Sequence, residues 1–115
     1  MINAMQAMMD DYFEFFRTVR GGRAIWQATQ SDARLQAMDH DDMEMHAATI
    51  AAAFGRVKPS MSRADALRLG RLFTVIVGTT VRYAISLSPR QARAMVDECK
   101  KSVLAPGVER ALTGT

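Results

Sequence analysis

Apolar residues recur along this chain at steps of three and four, the signature of helices that each bury one face. Met5, Met9, Tyr12, Phe16 and Val19 follow steps of 4, 3, 4 and 3. They predict a first helix from about Asn3, a candidate N-cap, to Val19. Met8 and Phe15 widen its apolar face, and Gly21–Gly22 closes it. A short helix from about Arg23 to Thr29 carries the only tryptophan, Trp26. Ser31 and Asp32 can cap the next segment, Ala33 to Val57, with a break expected near the charged run Asp39–Asp42. Beyond that run, Met43, Ala47, Ile50, Phe54 and Val57 resume the same steps. Lys58-Pro59-Ser60 reads as a loop, since Pro59 has no N–H to give a helix. Ser62-Arg-Ala-Asp65 then resembles a capping box and opens a helix to about Leu87. Ser88-Pro89-Arg90-Gln91 is a stronger start: hydroxyl cap, Pro at the first helical position, Gln at the third. The last helix carries Met95, Val96, Cys99 and Val103 and is expected to stop near Pro106–Gly107. Strict alternation and Asn-Gly or Asp-Gly turns are missing. The expected fold is all-α, a single helical domain spanning 1–115, with about five helices.

The helix over 62–87 is apolar on two sides. One side holds Leu69, Leu72, Ile76, Tyr83 and Leu87; the other holds Ala66, Phe73, Val77 and Ala84. A small domain has too few elements to surround such a helix, so one side is expected to meet a second copy. Together with the last helix it would form a four-helix-bundle homodimer interface. Leu69, Leu72, Ile76, Tyr83 and Met95 are the expected contact residues. Gly70 and Gly78 cost roughly 1 kcal/mol each inside a helix, which points to a close helix approach on this surface.

Composition narrows the class. The 115 residues are 49% hydrophobic and 23% charged, an ordinary globular balance. The net charge of +3 is unevenly placed. Residues 1–55 carry four Arg against eight carboxylates, whereas 56–115 carry eleven Lys or Arg against four. The basic residues are spread singly through apolar sequence, without aromatic interleaving, so they read as solvated helix faces rather than a nucleic-acid surface. The longest charge-free apolar stretch, between Arg71 and Arg82, is ten residues, against about 20 for a membrane span. A single cysteine and the lack of a secretory leader fit a soluble protein of the reducing cytoplasm.

Catalytic chemistry is hard to find. Asp39, His40, Asp41, Asp42, Glu44 and His46 crowd one stretch, and Asp42 and His46 share a helix face. A solvated acidic helix start accounts for them, and we assign no metal site. Cys99 sits in an apolar stripe without a partner base and reads as a packed small hydrophobe. Nucleophile-elbow, phosphate-loop and dinucleotide motifs do not occur. We expect no enzyme and no cofactor.

The order and punctuation of these segments resemble the C-terminal, ligand-binding and dimerisation domain of TetR/AcrR-type transcriptional repressors. The likeness runs through MQAMMDDYFEFF, GGRAIWQATQSD, AATIAAAFGRV, SRADALRLGRLFTVIVGTTVRYAISL and SPRQARAMVDECKKSVLAPGVERAL, which together span nearly the whole chain. It implies an effector-binding domain that senses a small apolar molecule. The pocket would lie between the first helix, the Trp helix and the two long helices. Its expected lining is Tyr12, Phe16, Trp26, His46, Ile50, Phe54, Phe73 and Val77. Nothing here resembles the helix-turn-helix head of that family. DNA contact is therefore expected only through such a head, with this chain a fragment or a stand-alone counterpart of the C-terminal part. A structural helical adaptor without a pocket is the alternative reading.

Overall fold

The computed structural model describes residues 1–18 and 22–114, excluding the side chains of residues 23, 25, 26 and 29. All described elements are helical. They run α1 (Ile2–Thr18), α2 (Gly22–Ser31), α3 (Ala33–Val57), α4 (Arg63–Ala84), α5 (Pro89–Cys99), a π-helical turn (Lys100–Leu104) and α6 (Ala105–Thr113). The last three follow one another without leaving helical backbone angles, so the chain after Ser88 forms one rod. Counted that way, the described chain has the expected five rods.

The caps follow the local sequence. Asp32, rather than Ser31, caps α3 and accepts from the amides of Arg34 and Leu35 at 2.9 and 3.3 Å. Ser62 accepts from the Asp65 amide at 3.0 Å. Ser88 and Gln91 close a reciprocal capping box with Pro89 behind the cap. The first helix already includes Ile2, so Asn3 lies inside it rather than capping it. Val19 and Gly21 lie outside the described residues, and Gly22 begins α2.

Two expectations about continuity need correction. α3 runs unbroken through Asp39–Asp42. The charges do not break it because they find partners one turn away or on α4. His40 lies 3.9 Å from Glu44, His46 3.4 Å from Asp42, and Arg71 and Arg82 reach across to Glu44 and Asp39. The final rod also passes Pro106–Gly107 and ends only at Thr113. Pro106 cannot donate to the preceding turn, and its ring crowds the carbonyl there. The π-turn widens the backbone just before it, with the Ala105 N–H bonding to the Lys100 carbonyl five residues back.

That turn also decides which residues are inside. Extrapolating the α-helical step from Cys99 points to Val103, which is 42% exposed; the extra residue carries Leu104 into the core instead, fully buried, followed by Val108. The core joins Met5, Met9 and Phe13 of α1 to Ile50 and Phe54 of α3, the Phe73–Val77–Val81 face of α4, and Ala92 and Val96 of α5. Phe54 and Phe73 stack with ring centroids 5.9 Å apart.

The pairing of α3 with α4 is the most extensive in the fold. A Cβ built on Gly70 would fall 2.2 Å from the Ala47 carbonyl oxygen, so only glycine lets these two backbones touch. The close approach expected at Gly70 is therefore present, inside the domain. Gly78 differs: a Cβ there meets nothing within 4 Å. The principal extents, 43 × 33 × 16 Å, describe a flattened molecule. One side of α4 is consequently uncovered. Leu72 and Tyr83 are 53% and 59% exposed, and Val75 stands beside them. Leu69, Ile76 and Met95 are half-buried against the core.

Candidate functional site

Where α1, α3 and α4 diverge on the Gly78 side of the Gly70 crossing, they leave a cleft of about 470 Å³. α1 contributes Ala4, Ala7, Met8, Asp11 and Tyr12; α3 contributes Asp42, Met43 and His46; α4 contributes Thr74, Val77, Gly78 and Arg82. These sets fall at helical repeats of three, four and seven, so each helix presents one stripe. Small residues make the space. Ala4, Ala7 and Gly78 withhold the side chains that would close it, while Met8 and Met43 supply adaptable apolar surface.

Six of the twelve lining residues are polar, and most of these are tied to one another or to a neighbour. The Arg82 guanidinium donates through Nε to the Tyr12 hydroxyl at 3.1 Å and through an Nη to Asp39 at 2.5 Å. Burial raises the Tyr12 phenol above its ordinary value; Arg82 opposes this by charge and hydrogen bond, while Asp39 and Asp42 reinforce it. Tyr12 therefore stays neutral at physiological pH. Phe16 meets the Tyr12 ring edge-on at 4.7 Å and holds it from behind. Asp11 has no ion pair among the described residues, and one buried group is also left over. Thr74 is 7% exposed, and its hydroxyl is buried without a hydrogen-bond partner. Such a group costs about 1–3 kcal/mol unless something bonds it.

The eight expected lining residues separate. Tyr12, His46 and Val77 come together on this cleft. Phe54 and Phe73 lie in the core stack, because the Gly70 crossing presses their helices together beside them. Ile50 is buried facing α1 and borders a smaller depression of about 290 Å³ near Met1 and Met5. Phe16 borders another of about 210 Å³, beside Ile85 and Leu87. The Trp26 side chain lies outside the described residues. Sequence reasoning missed Thr74, Gly78 and Arg82 as lining residues. Their signal was present in part: a hydroxyl, a glycine and a cation at positions 74, 78 and 82 fall at steps of four, one stripe of the helix.

The described residues form an all-helical domain with an uncovered apolar helix face and a cleft of small-molecule size. Residues 2–106 match the family described as tetracyclin repressor-like, C-terminal domain, and the chain belongs to that family. Domains of this family are parts of transcription regulators. No curated protein and no solved structure matches the chain. No helix among the described residues is long and apolar enough to cross a membrane.

Proposed function

We propose that this domain is the effector-binding and dimerisation part of a TetR-like transcriptional repressor. A small, largely apolar molecule occupies the α1/α3/α4 cleft, two copies associate through the outer side of α4 and the last rod, and DNA is contacted only through a helix-turn-helix head. The domain itself performs no chemistry and works in the cytoplasm. The cleft carries the reading: its volume suits a small molecule, its walls are apolar, and the buried Thr74 hydroxyl lacks a partner.

The mechanism is a population shift. An effector that fits one spacing of α1 against α3 and α4 better than another biases the domain by its differential affinity, and no further. The dimer converts that bias into the separation of two attached heads. Leu72 and Tyr83, with Val75, offer an exposed apolar strip, flanked by the half-buried Leu69, Ile76 and Met95.

A thermal-shift screen with small hydrophobic compounds tests the cleft. A bound compound at a hundred times its Kd stabilises by ~2.7 kcal/mol, and a Gly78→Leu variant, which fills the space, should lose every such shift. A screen without hits, or hits that survive Gly78→Leu, would favour the adaptor reading. Sedimentation of Leu72→Glu tests the association: a monomer is expected, against a dimer for the unmodified chain at micromolar concentration.

A further inference from the structure

We propose that the effector is a hydrophobic cation, an amine or comparable monocation, seated with its apolar body in the cleft and its charge beside Asp11 and Asp42. This rests on the cleft being the effector site, and it adds the chemical class.

Three observations converge. The inner surface, from Ala4 and Met8 across to Met43 and Val77, is apolar and takes a hydrocarbon or aromatic body. Thr74 borders the same surface, and its buried hydroxyl has no partner within the protein. The charges on the lining are unbalanced. Asp11 and Asp42 both border the cleft and are exposed; Asp11 makes no ion pair among the described residues, and Asp42 has only His46 of its own helix nearby, at 3.4 Å. Arg82, the permanent cation of the lining, is held by Asp39 and by the Tyr12 hydroxyl. An anion arriving here meets two carboxylates and a guanidinium already neutralised. A cation meets the same carboxylates as partners.

The placement also limits desolvation. Both carboxylates stand toward solvent, so the charged end of a ligand keeps part of its water while its body covers the apolar wall, as amphipathic side chains do. A fully enclosed charge would need full compensation inside the protein; this site asks for none.

Three probes of one shape separate the possibilities: 1-naphthylmethylammonium, 1-naphthylmethanol and 1-naphthylacetate, titrated calorimetrically into the intact chain at low and moderate salt. The cation should bind tightest and the anion weakest, with roughly twofold to fivefold in Kd for each carboxylate. The cation's advantage over the alcohol should shrink with added salt. It should also fall toward unity in Asp11→Asn/Asp42→Asn, a pair of near-isosteric surface changes whose helicity is checked by circular dichroism. If the three probes bind alike, or the anion binds best, the cationic class is wrong while the cleft still holds as an effector site. If none binds, both readings fail together. An advantage for the cation that persists undiminished in the double variant would also overturn the assignment, because the charge would be read elsewhere.

Discussion

Two glycines eight residues apart on α4 should respond to the same substitution with opposite signs. At Gly70 a methyl group would lie 2.2 Å from the Ala47 oxygen, 3.1 Å from the Ala47 carbonyl carbon and 3.3 Å from the Ala51 nitrogen. All three are backbone atoms, so no side chain can swing away. An ordinary C···O contact needs about 3.3 Å, so α3 and α4 must part by about 1 Å at their crossing. That gap opens beside Phe54, Phe73 and Val77, and a gap of roughly 0.5–1 Å already loses a quarter to a half of each dispersion contact. Overpacking of this kind costs about 1–3 kcal/mol, and the backbone contact places Gly70→Ala in the upper part of that range after its propensity gain. Gly78→Ala meets nothing within 4 Å, so it keeps the gain of Ala over Gly, about 0.5–1 kcal/mol. Urea denaturation followed by far-UV ellipticity, at one fixed protomer concentration, reads both. The Gly70→Ala midpoint should fall, with Tm lower by about 10 °C, and the Gly78→Ala midpoint should rise by a few degrees' equivalent, at roughly 4 °C per kcal/mol. A Gly70→Ala variant as stable as the parent, or two shifts of the same sign, would refute the claim that the α3–α4 crossing is a backbone contact.

Other consequences can be measured alongside. Phe54→Ala removes a fully buried ring stacked on Phe73 and should cost about 3–5 kcal/mol in the same denaturation assay. Tyr12→Phe deletes one acceptor of Arg82 while the Asp39 pair remains, so the loss should stay within about 0.5–1.5 kcal/mol. The pH dependence of that residue has a definite sign. Because burial raises its folded pKa above the ordinary phenol value of 10.0, the folded state holds its proton longer than the unfolded one. The stability this contributes is complete below pH 10 and is lost as pH rises from there through the folded value. Tyr12→Phe should flatten that part of the alkaline unfolding curve; an unchanged curve would mean that the phenol is not desolvated.

Much of this architecture is written in the sequence, and the failures have identifiable causes. Helix starts at Asp32, Ser62 and Ser88 follow from side chains that can reach free amides, a local matter. The first helix was legible as a stripe, though Phe13 rather than Tyr12 or Phe16 is the ring placed deepest. In a helix the three are neighbours on one broad face, and only the partner decides which is central. The two apolar sides of α4 could not be ranked from their pattern; the contact at Gly70 settles that the Ala66–Phe73–Val77 side faces inward. The predicted break at Asp39–Asp42 overlooked Arg71 and Arg82, whose charges stand about thirty to forty residues away in sequence and meet the acidic run only when α3 and α4 pair. Aromatic residues were natural candidates for a pocket wall, yet Phe54 and Phe73 fill space. The cleft is bounded by small and flexible residues instead. A cavity exists where bulk is withheld, and a pattern of large side chains does not register that.

The π-turn at Lys100–Leu104 has a consequence for descent. It accommodates one more residue than an α-helix would in the same length, and each added residue turns the following side chains by about 100°. A relative with an uninterrupted α-helix here would need one residue fewer to present the counterparts of Leu104 and Val108 to the same core. Its alignment with this chain must open a single-residue gap inside 100–104. Aligned without that gap, buried positions here would be matched with exposed ones there through the end of the rod, and an insertion would be mistaken for a run of substitutions.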